Sequence, residues 1–149
     1  MADHIDKQIR DAAATLLTGL STTGSNVFKS RVYPLQDAEL PALRVYVDES
    51  DITAYSMGGS ARPVERNTNL KIEFCGKAIA SYDDAADASK KEVETALANS
   101  ITLGGICKFI QLRRIETQRD DGAEQIVIVT RMIFECISRT AANAPDVPL

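Results

Sequence analysis

A chain of 149 residues is the size of one domain, and a hydrophobic content of 44% lets it bury a core without disulfides or metals. A net charge of −4 argues against gripping DNA or RNA as the main task, which calls for a basic excess, and no apolar run approaches the roughly 20 residues of a membrane span. The one histidine, His4, sits at the start of the chain, which leaves no basis for histidine catalysis or a His-based metal site.

Residues Ile5, Ile9, Ala12, Ala13, Leu16, Leu17 and Leu20 recur at helical spacing and predict an amphipathic helix. Asp3 is its expected N-cap, with Asp6 in the capping-box position. Gly19 and the polar run from Ser21 to Asn26 end it. Val27-Phe28 and Val32-Tyr33 bracket a short extended piece that Pro34 closes. Leu43, Val45 and Val47 then alternate with Arg44, Tyr46 and Asp48, which predicts a half-buried strand. Residues 49–64, containing Met57, Gly58, Gly59 and Pro63, read as a long loop. The next strand is expected over about 65–77, with Leu70, Ile72 and Phe74 on one face and Lys71, Glu73 and Cys75 on the other.

Ser81-Tyr82-Asp83-Asp84 has the form of a capping box opening a second helix to about Asn99. Its predicted buried face is Tyr82, Ala85, Ala86, Ser89, Val93, Ala96 and Leu97, and Asp87 and Lys91 are spaced as an i,i+4 pair on its wet face. Gly104-Gly105 break the chain before a strand over about 106–119. Its parity switches near Arg113-Arg114, which predicts a bulge. Asp120-Asp121-Gly122-Ala123 is an expected hairpin turn. In the last strand, about 124–138, Ile126-Val127-Ile128-Val129 is apolar on both faces and so belongs inside a sheet. The expected domain is 1–138, followed by a flexible tail at 139–149. The fold class is α+β: a single domain of order α-β-β-β-α-β-β, with a mixed, mostly antiparallel sheet of about five strands and two helices packed on one face.

Two C-terminal strands of about 13 residues would run ~44 Å, longer than the body of a chain this size. Projecting ribbons expose backbone that a second subunit can cover, so assembly is the expected mode of action. Cys75, Cys107 and Cys136 each lie in a strand-like run and are expected to be buried, reduced thiols in a protein kept in the cytosol. Three acid clusters stand out: Asp48, Glu49 and Asp51; Asp83, Asp84 and Asp87; Asp120, Asp121 and Glu124. A strand end, a helix N-terminus and a hairpin tip account for them more simply than acid–base chemistry or a cation site does. No catalytic, cofactor-binding or metal residue is assigned.

In order and texture these segments resemble the tail terminator proteins of long-tailed bacteriophages, the group containing the lambda minor tail protein U. The pieces that carry the likeness are the N-terminal helix, Leu40-Pro41-Ala42-Leu43-Arg44-Val45-Tyr46-Val47, Leu70-Lys71-Ile72-Glu73-Phe74, the helix at Asp83-Asp84, and Arg119-Asp120-Asp121-Gly122 with the strand Ile126–Ile137. The resemblance spans about residues 5–138; the longer 49–64 loop and the tail depart from it. It implies a virion protein of the tail-neck region, made in the host cytoplasm and without catalytic residues. Six copies would form a ring on the head-proximal end of the tail tube. The ring would stop tube growth, dock the head completion or connector proteins and let DNA slide through without specific binding. The expected contacts are Tyr55, Met57 and Arg62 in the loop and Arg113, Arg114, Arg119 and Asp121 on the last hairpin. Two alternatives stand beside it: another neck or head–tail completion protein, and a small cytosolic α+β enzyme or ligand-binding domain supported only by the acid clusters.

Overall fold

Apolar residues at three- and four-residue spacing wind Ile5–Leu17 into α1, whose Ile5, Ile9, Ala13, Ala14 and Leu17 are buried. The structure, a computed structural model, describes residues 2–30, 37–54, 57–120 and 127–149. After α1 come β1 (Val27–Phe28), a 3₁₀ turn (Asp37–Glu39), β2 (Ala42–Ala54), β3 (Pro63–Lys77), α2 (Tyr82–Ala98), β4 (Phe109–Asp120), β5 (Val127–Ala141) and β6 (Ala144–Pro148). The strand order is β1-β2-β3-β5-β4, with β6 alongside β5. Among the described residues only the β1–β2 pairing is parallel, so the sheet is mixed and mostly antiparallel, and the fold class is the expected α+β. As expected, β5 is an inner strand, flanked by β3 and β4.

Both helices lie on one face of the sheet. Ile5, Ile9 and Leu17 of α1 and Val93 and Leu97 of α2 share a core with Leu43, Val45, Leu70, Ile72, Phe74, Met132 and Phe134. The strand residues in that set alternate along each strand, as a pleated sheet requires. Gly76 stands where the α2 N-terminus meets the sheet, and a Cβ there would come within 3.0 Å of the Tyr82 ring. Leu103, Gly104 and Gly105 all have positive φ in the turn before β4, which explains the glycine pair.

Several local expectations change. The N-cap of α1 is His4, whose Nδ1 accepts from the Asp6 backbone N–H at 3.1 Å, while the Asp3 carboxylate accepts from Lys7 Nζ at 2.6 Å. Ser81 occupies the N-cap of α2 but makes no side-chain cap bond. Asp87 pairs with Lys90 at 2.8 Å, one residue short of the expected Lys91. The long loop is shorter than expected, because residues 49–54 continue β2 and pair with 64–69. Pro63, expected in that loop, is the first residue of β3, where a proline is tolerated. The tail showed no pattern in sequence, yet Ala141 still belongs to β5 and Ala144–Pro148 form a sixth strand.

The bulge foreseen near Arg113-Arg114 is present as a register shift between Leu112 and Arg114, and β2 has another between Val47 and Glu49. The expected Asp120–Ala123 turn falls mainly on 121–126, outside the described residues. The β2–β3 hairpin is not a free ribbon. Its β3 strand pairs with β5 along its whole length, from Pro63 with Ala141 to Lys77 with Val127.

Candidate assembly surface

Among the described residues no helix covers the sheet face away from α1 and α2, and charged residues cross it. Arg44, Glu73, Arg131 and Glu116 stand in direct register on β2, β3, β5 and β4, one alternating row over four strands. Arg44 Nη2 lies 3.2 Å from Glu73 Oε1. Arg131 approaches Glu73 Oε2 with Nη2 at 2.7 Å and donates to it from Nε at 2.9 Å. Its Nη1 donates to Glu116 Oε1 at 3.0 Å, and Arg114 Nη2 reaches Glu116 Oε2 at 3.3 Å. Opposite charges directly across a sheet attract, and two guanidiniums on one carboxylate share its lone pairs.

Burial alone would lower the Arg131 pKa, but its hydrogen bonds and attraction to Glu73 outweigh that and raise it. Tyr46 beside the row is buried, which pushes its hydroxyl up to about 12, with the Glu73 charge adding to the effect. Farther along the face, Lys71 meets Asp48 at 2.5 Å. Glu135 accepts from Arg113 Nε and from Asn67 Nδ2, the latter at 2.9 Å. The hydrogen bond from Arg113 is the main reason the Glu135 carboxyl sits below the ordinary carboxylate range. Toward the other end, Ala42, Cys75, Val127 and Val129 make a small apolar cluster with Phe28 and Leu40 against it.

Among the described residues the sheet also has two open edges. On one side β1 pairs with β2 at Leu43 and Arg44, and the rest of β2 has no described strand beside it there. On the other side β4 is the edge strand, and β6 joins β5 only at Thr140 and Ala141. Exposed apolar residues mark both sides: Ile52 and Met57 by the β2 edge, Phe109 and Ile115 on β4.

Those of the sequence-expected contact residues that are described divide between the β2–β3 turn and β4. Met57 is fully exposed in the β2–β3 turn. Arg62 ties that turn to its own chain: its Nη1 donates to Gly59 O at 3.1 Å, and its carbonyl accepts from Ala142 N at 2.9 Å. Arg113 and Arg114 lie on β4, the latter side chain 70% exposed. Arg119 is a β4 residue registered with Ile128; its side chain, Tyr55 and Asp121 lie outside the described residues. Within one subunit the two groups are not brought together, because β3 and β5 separate them. The ionic row was missed. Alternation assigns Glu73 and Arg131 to a face, but only the register of β3 on β5 places them side by side.

Among the described residues no three His, Cys, Asp or Glu side chains gather as a metal site. A groove of about 530 Å³ between α1 and the turn before β4 is lined by Asp3, Gln8, Asp11, Leu16, Leu103 and Ile106. Burial raises the Asp11 carboxyl pKa, but Lys29 and Lys7 outweigh it and the net shift is down. The three cysteines are free and buried, and burial pushes the Cys107 thiol up to about 11.

A family model described as phage minor tail protein U matches residues 4–134. Among solved structures, a chain of the virion of a native gene transfer agent (GTA) particle is similar. It is 16% identical, with 93% of this chain and 92% of that chain covered and a TM-score of 0.45. No curated protein matches.

Proposed function

We propose that this chain, which belongs to the phage minor tail protein U family, acts as a tail terminator. It is a structural tail protein and part of the virion. In the proposed role, copies close into a ring, six in number by the family resemblance, on the head-proximal end of the tail tube. The ring stops the addition of tube subunits and offers its far side to head completion or connector proteins. DNA passes through it without being read, consistent with a net charge of −4.

The observation that carries this reading is the pair of open edges on opposite sides of one sheet. A contact between unlike surfaces builds a ring when the rotation closes, whereas a self-complementary patch stops at a dimer. The contacts proposed are Met57, Arg62 and Tyr55 at the β2–β3 turn and Arg113, Arg114, Arg119 and Asp121 at the β4–β5 hairpin. Electron microscopy of tails assembled without the protein tests the role. Tubes longer than normal are the expected result. Tubes of normal length that lack heads would move the protein to the joining step.

A further inference from the structure

Resting on the ring reading above, we infer that neighbouring copies join strand to strand: the open edge of β2 in one copy pairs antiparallel with the open edge of β4 in the next. Strand direction fits. Each step from β2 through β3 and β5 to β4 is antiparallel, so β2 and β4 run in opposite directions. A copy set beside another therefore continues the alternation at the junction.

Side-chain parity fits as well. Glu49 and Asp51 register with Asn69 and Asn67 and share the open face with Lys71 and Glu73. Arg114 registers with Ile133, on the same face as Arg131 and Glu135. In a joined sheet, Asp51 of β2 meets Arg114 on the basic edge of β4 on one face, and Glu49 falls opposite Glu116, whose charge Arg131 and Arg114 already answer. On the other face, Ile52, 54% exposed, and Ile115, 39% exposed, are brought within cross-strand or diagonal reach. A slip of one residue would send each set to the wrong face. Pairing β2 with β2, or β4 with β4, would set like charges against each other. The complementarity thus selects a second copy in head-to-tail order.

The test uses the whole chain. Asp51→Arg and Arg114→Glu are each expected to weaken self-association about tenfold. The two together in one chain should restore it, because every junction in a head-to-tail ring holds residue 51 of one copy and residue 114 of the next. Separately, an equimolar mixture of Ile52→Cys and Ile115→Cys chains, treated with a short bismaleimide, should give covalent dimers. Neither variant alone should do so, since the native cysteines are buried. Far-UV circular dichroism of each variant checks the fold, and all four positions are exposed. Rings that assemble with neither rescue nor cross-linking overturn the strand junction and leave the ring reading standing. A wild-type chain that forms no ring at any concentration, or on isolated tube ends, overturns both.

Discussion

On the helix side of β3, Ile72 and Phe74 are wholly buried beneath α1 and α2; between them, on the opposite side, Glu73 is 2% exposed with no helix above it. One face is closed by helices that carry aliphatic side chains. The other is closed by its own long side chains, which lie across the strands and satisfy one another's charges. An arginine covers apolar surface with its stem while its head stays engaged. A sheet need not have a second layer to be dry at its centre, provided the charges there are matched in register. This leaves the open face and the two edges available to neighbours.

The widest gap between the faces is expected from truncating their central residues. Phe74→Ala empties the helix side beside Tyr82, whose ring centroid lies 5.8 Å away, and should cost about 3–5 kcal/mol by urea unfolding. Glu73→Ala removes the carboxylate that Arg44 and Arg131 share, while Arg131 keeps Glu116, and should cost about 3 kcal/mol, the lower end for a broken buried pair. The sharper comparison is the triple exchange Arg44→Met, Glu73→Leu, Arg131→Met. Apolar groups of similar length should return most of the stability lost in Glu73→Ala, as replaced ion networks often do. If the triple variant unfolds as readily as Glu73→Ala, the row holds the sheet by its charges and the comparison above is wrong in kind.

The helix side was legible because its signals are local. The spacing from Ile5 to Leu17 and the alternation of Leu70, Ile72 and Phe74 each report their burial within a few residues of sequence, and the apolar run at 127–129 does the same for Val127 and Val129 on the open face. The bulge at Arg113-Arg114 was legible for the same reason, since a change of parity is visible in one strand. The open face was not, because a row through residues 44, 73, 131 and 116 is defined by pairings between distant segments. Polar composition misled the reading of 49–54, where Glu49, Ser50, Asp51 and Thr53 suggest a loop. Those residues suit an exposed edge strand whose partner, β3, supplies the pairing. Likewise, Ala144–Pro148 has no strand pattern of its own and pairs because β5 extends beyond β4.

The finest test sets one tyrosine from each face against the other. Tyr82, the first residue of α2 on the helix side, and Tyr46 on the open face are both raised to about 12, and burial is the leading cause in each. Tyr82 keeps its hydroxyl 2.7 Å from Thr130 Oγ1, whereas Tyr46 lies beside Glu73 and Arg131. A raised folded-state value means that the neutral hydroxyl is favoured by folding. Its stabilisation is complete below pH 10, the value in an unfolded chain, and is lost as the pH rises through about 12. Tyr46→Phe should therefore lose less stability than the parent between pH 10 and 12, read by urea unfolding at fixed pH. The difference should be small beside either truncation. Ultraviolet titration of the folded chain should place both hydroxyls well above the ordinary range. A Tyr46 that ionises near 10 while Tyr82 holds its proton would mean that water reaches the ionic row, and that the open face is closed only by the next subunit.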